Sequence, residues 1–99
     1  MSEAQANAKG AAQNQGTWHQ NNIGWWYSLP DGGYVKSAWK NINGEYYYFN
    51  SDGYMLVGWQ LIDGNWYYMD MTRGNMLANT TTPDGYFVGI SGAYSESGK

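Results

Sequence analysis

The chain has 99 residues and a net charge of −3, which bounds it to one small domain with a modest core. Only 13% of the residues are charged, whereas 18% are aromatic: six Trp and ten Tyr against two Phe. That balance excludes the basic footprint a nucleic-acid binder needs, and the lack of cysteine excludes disulfides and thiolate metal sites. Trp and Tyr carry a polar handle and suit half-exposed surfaces better than dry interiors. No stretch is long enough for a transmembrane helix, and no basic amphipathic helix is present for a membrane surface. The first residues lack an apolar signal core, so any export signal of a parent protein is expected to lie elsewhere or to have been removed.

Residues 1–16, "MSEAQANAKGAAQNQG", are Ala, Gln, Asn and Gly without hydrophobic period. They read as a linker or tail that does not hold structure alone. At Thr17 the composition changes and a repeat begins. Trp39 recurs as Trp59, Gly44 as Gly64, and Tyr46-Tyr47-Tyr48 as Trp66-Tyr67-Tyr68. Gly53, Met55 and Leu56 recur as Gly74, Met76 and Leu77. Backwards, Gly24, Trp26 and Tyr27 match Gly44, Tyr46 and Tyr47, and Trp18 matches Trp39. A partial last copy, "TPDGYFVGISGAY", runs from Thr82 to Tyr94 without the leading Trp. An array of units of about twenty residues with an atypical end is a solenoid pattern. Its module is expected over residues 17–94, with a short tail at 95–99.

Each unit reads as a β-hairpin. The first strand is the aromatic run (Trp25–Leu29, Glu45–Phe49, Asn65–Met69). The second is short (Tyr34–Lys36, Tyr54–Val57, Asn75–Ala78), reached through the turns "PDGG", "NSDG" and "DMTRG". Asn43-Gly44 and Asp63-Gly64 break the chain between each Trp and its aromatic strand. Helix is disfavoured by Gly, Asn and the β-preferring aromatics. A lone hairpin is marginal in water, so the units must stack. The fold class expected is all-β, a solenoid of stacked hairpins.

The aspartates invite a catalytic reading that fails. Asp31, Asp52, Asp63 and Asp84 all precede Gly, where the side chain caps its own turn. Paired glycosidase carboxylates need a rigid cleft, which this pattern does not build. One Asp per turn is too sparse for calcium repeats. His19, the single histidine, has no metal-ligating neighbour in sequence and reads as a surface residue. No enzyme, metal or cofactor is expected.

The rings are left to explain. Alternation puts Tyr46 and Tyr48 on one face and Tyr47 on the other. Folding back at Gly44 would bring Trp39 beside Tyr46, and at Gly64 Trp59 beside Trp66. A third ring from the next hairpin would complete a box that suits a quaternary ammonium, at about 0.5–2 kcal/mol per ring face. Three faces correspond to a dissociation constant of about a millimolar, and linked sites on a polymer gain by effective concentration. Packing alone would be met by Val, Ile and Leu, which are scarce here.

The run "GWQLIDGNWYYMD…GNML", Gly58 to Leu77, resembles the cell-wall-binding (choline-binding) repeat of Gram-positive surface proteins and lytic enzymes. Related repeats occur in glucan-binding proteins and clostridial toxins. The resemblance covers Trp18 to about Tyr94 and implies choline sites between consecutive hairpins, two rings from one unit and one from the next, often with a Met wall. Carried over, the first site takes Trp18, Trp26 and Tyr48 with Met55. The second takes Trp39, Tyr46 and Tyr68 with Met76. The third starts from Trp59 and Trp66 and lacks an obvious closing ring, because Phe87 and Val88 stand where a triplet is expected. The last hairpin could cap the stack or pair two copies into a homodimer. The function implied is a non-catalytic, extracellular module that anchors an attached protein to the bacterial wall through choline of teichoic acids. Two alternatives stay open: a module binding glucan or galactoside, with the loop "HQNN" supplying hydroxyl contacts, and a structural or dimerisation stalk without ligand.

Overall fold

The computed structural model describes residues 16–96; the tail expected at 1–16 and the last residues of the one at 97–99 lie outside them, save Gly16. The described chain is all strand. Its elements are β1 (Thr17–Gln20), β2 (Trp25–Ser28), β3 (Ala38–Ile42), β4 (Glu45–Phe49), β5 (Gly58–Ile62), β6 (Asn65–Met69), β7 (Thr80–Thr81) and β8 (Phe87–Val88). They pair consecutively into four separate two-stranded antiparallel sheets, β1-β2, β3-β4, β5-β6 and β7-β8. The stacked hairpins of the sequence reading are therefore present, but the strands that form them differ from those expected.

The partner of each aromatic strand is the Trp-bearing strand before it, not the short segment after it. β3 meets β4 across Asn43-Gly44, with φ of 54° and 91°, and β5 meets β6 across Asp63-Gly64, with φ of 51° and 85°. Two successive left-handed residues make a turn whose twist matches the strands it joins, and Asn-Gly and Asp-Gly adopt it at least cost. The Asn41 side chain also accepts a hydrogen bond from the Gly44 N–H. In the first hairpin the four residues Asn21–Gly24 take this place, and Asn21 Oδ1 accepts from the N–H groups of Ile23 and Gly24. The segments expected as second strands form no ladder; each meets the aromatic strand before it at an isolated bridge, Ser28 to Tyr34, Phe49 to Met55 and Met69 to Met76. Turns such as "NSDG" are loops: Asn50 Oδ1 accepts from the N–H groups of Asp52 and Tyr54.

Stacking is written in the main chain. The N–H of Met55 donates to the carbonyl of Trp25, that of Met76 to Tyr46, and that of Tyr94 to Trp66, each at 2.8 Å. Each bond ties the segment after one hairpin to the hairpin before it. Side chains seal the joint. Tyr27, Val35, Ile42 and Phe49 form a buried cluster with Trp18, Leu29, Tyr47 and Met55 packed on it, while Met69 and Val88 are fully enclosed further along. Gly53, Gly74 and Gly92 share one job. All three have positive φ, and a Cβ there would overlap Tyr34, Met55 and Met76 respectively. The turn glycine of each unit thus receives the side chain of the unit before.

A candidate ligand site between stacked hairpins

Register decides which rings meet. In the hairpins Trp18 stands opposite Tyr27, Trp39 opposite Tyr48 and Trp59 opposite Tyr68. These cross-strand pairs share a face, with centroids 5.1, 5.2 and 5.2 Å apart in edge-to-face geometry. Tyr47 and Tyr67 point to the other face of their own hairpins and so toward the preceding one. Tyr47 reaches Trp18 at 5.0 Å, and Tyr67 reaches Trp39 at 5.0 Å.

The first cavity is walled by Trp18 and Trp25 of one hairpin and by Tyr47 and Met55 of the next, with Thr72 and Arg73 at its rim. Its volume is about 330 Å³. Trp18 and Trp25 stand almost perpendicular, 6.1 Å apart. The second joint repeats the pattern: Trp39 faces Tyr67, and the N–H of Met76 is bound to the carbonyl of Tyr46, whose ring is 47% exposed. The third cavity, about 480 Å³, is walled by Trp59, Trp66, Tyr86 and Tyr94, with Asp84 beside them. Tyr86 and Tyr94 lie 5.9 and 6.1 Å from Trp59.

Of the residues expected at the sites, Trp18 and Met55 line the first cavity, Trp59 and Trp66 the third, and Trp39 meets Tyr67 at the second joint, where the main chains of Met76 and Tyr46 are bonded. The structure does not bring Trp26, Tyr48 or Tyr68 to the joints. Tyr48 and Tyr68 lie beneath their own Trp residues, because antiparallel pairing sets residues nine apart face to face, and it is Trp39 with Tyr48, not Tyr46, that pair. Trp26 lies on the opposite face from Trp18, stacked on His19 with centroids 4.2 Å apart. It lines a separate cavity of about 290 Å³ with Asn21, Tyr34, Asp52 and Tyr54. His19 is thus a packed ring, its Nε2 hydrogen-bonded to Ser28 Oγ. Trp25, Tyr47, Tyr67, Tyr86 and Tyr94 were missed. Aligning Tyr27 with Tyr48, 21 residues on rather than 20, would have found Trp25, Tyr47 and Tyr67. In the last copy the interval shortens, and only pairing shows that Tyr86, next to Phe87, stands where Tyr67 stands next to Tyr68, and that Tyr94, bonded to Trp66 as Met76 is to Tyr46, stands where Met76 stands.

Charge distinguishes the joints. Asp84 binds within its own turn and beyond it: its carboxylate accepts hydrogen bonds from the Thr82 hydroxyl at 2.5 Å and from the Trp59 indole N–H at 2.9 Å. These two bonds hold its pKa below the usual carboxylate range, the Thr82 bond contributing most. A depressed pKa means that this anchoring is in force above the ordinary carboxylate pKa and is lost as pH falls through the lowered one. Acidification through that lowered pKa, beneath the ordinary carboxylate range, is expected to release the Trp59 indole, seen as a change in its N–H resonance, with the Trp39 indole N–H as the control. An Asp84→Ala variant should show the released resonance already at neutral pH. At the first joint, burial pushes the Tyr47 phenol up, Glu45 adds to this, and Arg73 opposes it. Among the described residues no group of three His, Asp or Glu could hold a metal ion, and no helix is long and apolar enough to cross a membrane.

Hairpins that stack in succession, with rings meeting across the joints and apolar cavities at the first and third of them, define a repeat module. Comparison with known proteins gives that class its name: the chain belongs to the choline-binding repeat family. The family model for the choline-binding repeat matches residues 35–80. The choline-binding domain of Spr1274 from Streptococcus pneumoniae is 36% identical, superposes with a TM-score of 0.71, and matches over 80% of this chain and 93% of its own. The multimodular pneumococcal cell-wall endolysin of phage Cp-1, solved in complex with choline, is 33% identical with a TM-score of 0.74 over 83% of this chain. The matched region spans 25% of that endolysin. Choline-binding protein F of Streptococcus pneumoniae is 33% identical with a TM-score of 0.71, over 79% of this chain and 27% of its own. Among curated protein sequences none matches this chain.

Proposed function

We propose that this chain is a non-catalytic module that binds choline on the wall polymers of a bacterial envelope and so anchors whatever protein carries it outside the cell. The observation that carries the reading is the conjunction, at the first and third joints, of a Trp, a second ring from the same hairpin and a third from the next, with Trp39 and Tyr67 meeting in the same way at the second. Such walls offer π faces on several sides and few hydrogen-bond donors, which suits a cation that cannot donate N–H bonds itself. Membership of the family and the choline complex of the phage endolysin support the choice of ligand. The third joint is complete within one copy, since Tyr86 and Tyr94 supply its far wall; a homodimer through the last hairpin is not needed to close it.

The test is retention on a quaternary-amine resin followed by elution. Free choline at about ten millimolar, an order above the dissociation constant expected for three ring faces, should release the protein. Sodium chloride, glucose and galactose at the same concentration should not. Release by a sugar would favour the carbohydrate reading, and equal release by salt would reduce retention to ion exchange by an acidic chain.

A further inference from the structure

The joints are not equivalent in charge, and the difference sits at one repeated turn position. Three positive-φ turn glycines receive a side chain of the preceding unit, and the residues before them are Asp52 before Gly53, Arg73 before Gly74 and Ser91 before Gly92. Gly53 receives Tyr34, Gly74 receives Met55 and Gly92 receives Met76, so each of these turns abuts the unit before it. The cavities agree. Arg73 and Thr72 line the one containing Met55, and Asp52 lines the one containing Tyr34. Tyr34 and Met55 hold the same rank in their units, bridged to Ser28 and Phe49.

Arg73 is the single arginine of the chain and it stands at the mouth of an aromatic cavity. A guanidinium keeps its charge at every relevant pH. Beside a cavity built for cations it repels a bare ammonium. The repulsion becomes attraction if the ligand carries an anion a few bonds from its nitrogen. A guanidinium fork and a hydroxyl are the donors that phosphate oxygens take. We infer that Arg73, with Thr72, makes the first cavity selective for choline esterified to phosphate over free choline. The second joint, where Met76 packs against Gly92 and the uncharged Ser91 precedes that glycine, lacks that preference. The third, with the Asp84 carboxylate at its wall, has the opposite one. The module then reads a phosphate-bearing stretch of polymer at one end and its ammonium groups alone at the other. This rests on the choline reading above and specifies it cavity by cavity.

Methionine methyl labelling resolves the joints, because Met55 walls the first cavity and Met76 stands at the second. The Trp59 indole N–H reports the third. Titrating the full chain with choline and with phosphocholine should half-saturate the Met55 signal at about threefold less phosphocholine than choline, the scale of an exposed ion pair. Met76 should show no preference and Trp59 should favour choline. Arg73→Gln should raise choline affinity at Met55 and erase the phosphocholine preference there. Arg73→Lys should keep part of it, and Arg73→Asp should reverse it. The proposal is overturned if Met55, Met76 and Trp59 show one common ratio. It is overturned equally if Arg73→Gln tightens both ligands alike, which would make Arg73 a competing cation only. Silence of all three signals toward choline would instead remove the choline reading itself.

Discussion

Replacing Phe49 by Ala is expected to lower the unfolding free energy by about 3–5 kcal/mol, the range for emptying a buried aromatic site. Phe49 has no exposed surface. It belongs to the cluster with Tyr27, Val35 and Ile42 that joins the first two hairpins, and its ring lies 5.7 Å from that of Trp18. The cavity left behind has no neighbour free to collapse into it, because each surrounding side chain is held by the hairpin register. Domains of this size have only about 5–15 kcal/mol in total, so the loss is a large share of the whole. Urea titration followed by Trp fluorescence would measure the loss as a lower midpoint at unchanged slope. Leu61→Ala, at a position 58% exposed, should shift the midpoint by no more than about 0.5 kcal/mol. Equal effects of the two substitutions would contradict the core described above.

Choline should act in the other direction. A ligand that binds only the folded state stabilises by RT ln(1 + [L]/Kd) at each site, about 1.4 kcal/mol at ten times the dissociation constant. Three joints filled together would add about 4 kcal/mol, enough to raise the melting temperature by many degrees in so small a domain. Trp39→Ala removes one wall of the second joint, where Trp39 stands 5.0 Å from Tyr67. Its own folding cost appears in the ligand-free melting temperature. The choline increment measured on top should shrink by about a third. Thermal unfolding with choline against the same concentration of sodium chloride makes the comparison. An increment that is absent, or that survives Trp39→Ala in full, would move binding away from these joints.

The repeat was readable because its signals are local. Asn43-Gly44 and Asp63-Gly64 mark tight turns, the aromatic triplets mark strands, and both return at a nearly constant interval. Even so, local signals alone do not distinguish a break at these turns from a hairpin, and it is the Trp strand before each aromatic strand, not the segment after it, that pairs. The Trp strand carries no strong β signal of its own: "AWKNI" and "GWQLI" mix polar and apolar residues because one face is buried and the other is wet. The left-handed φ pair at each turn is what selects the pairing.

Within the joints, the sequence named the first Trp of each unit and the Met of the next, since both positions are unique in the repeat. It could not separate Trp25 from Trp26, or Tyr47 from Tyr48. Neighbouring residues in a strand point to opposite faces, and a one-residue error in alignment exchanges them. Nor could it see Tyr86 and Tyr94 closing the third joint, since the last copy has lost its leading Trp and shortened its strands to two residues.

Composition and period by themselves thus determined an all-β array of ring-bearing turns, because turn chemistry and strand preference act over a few residues. Which ring faces which, and which charge stands beside it, was decided only when the hairpins stacked. A contact between units depends on register and on the main-chain bonds from Met55, Met76 and Tyr94 to the preceding hairpin, and neither is a property of any single repeat.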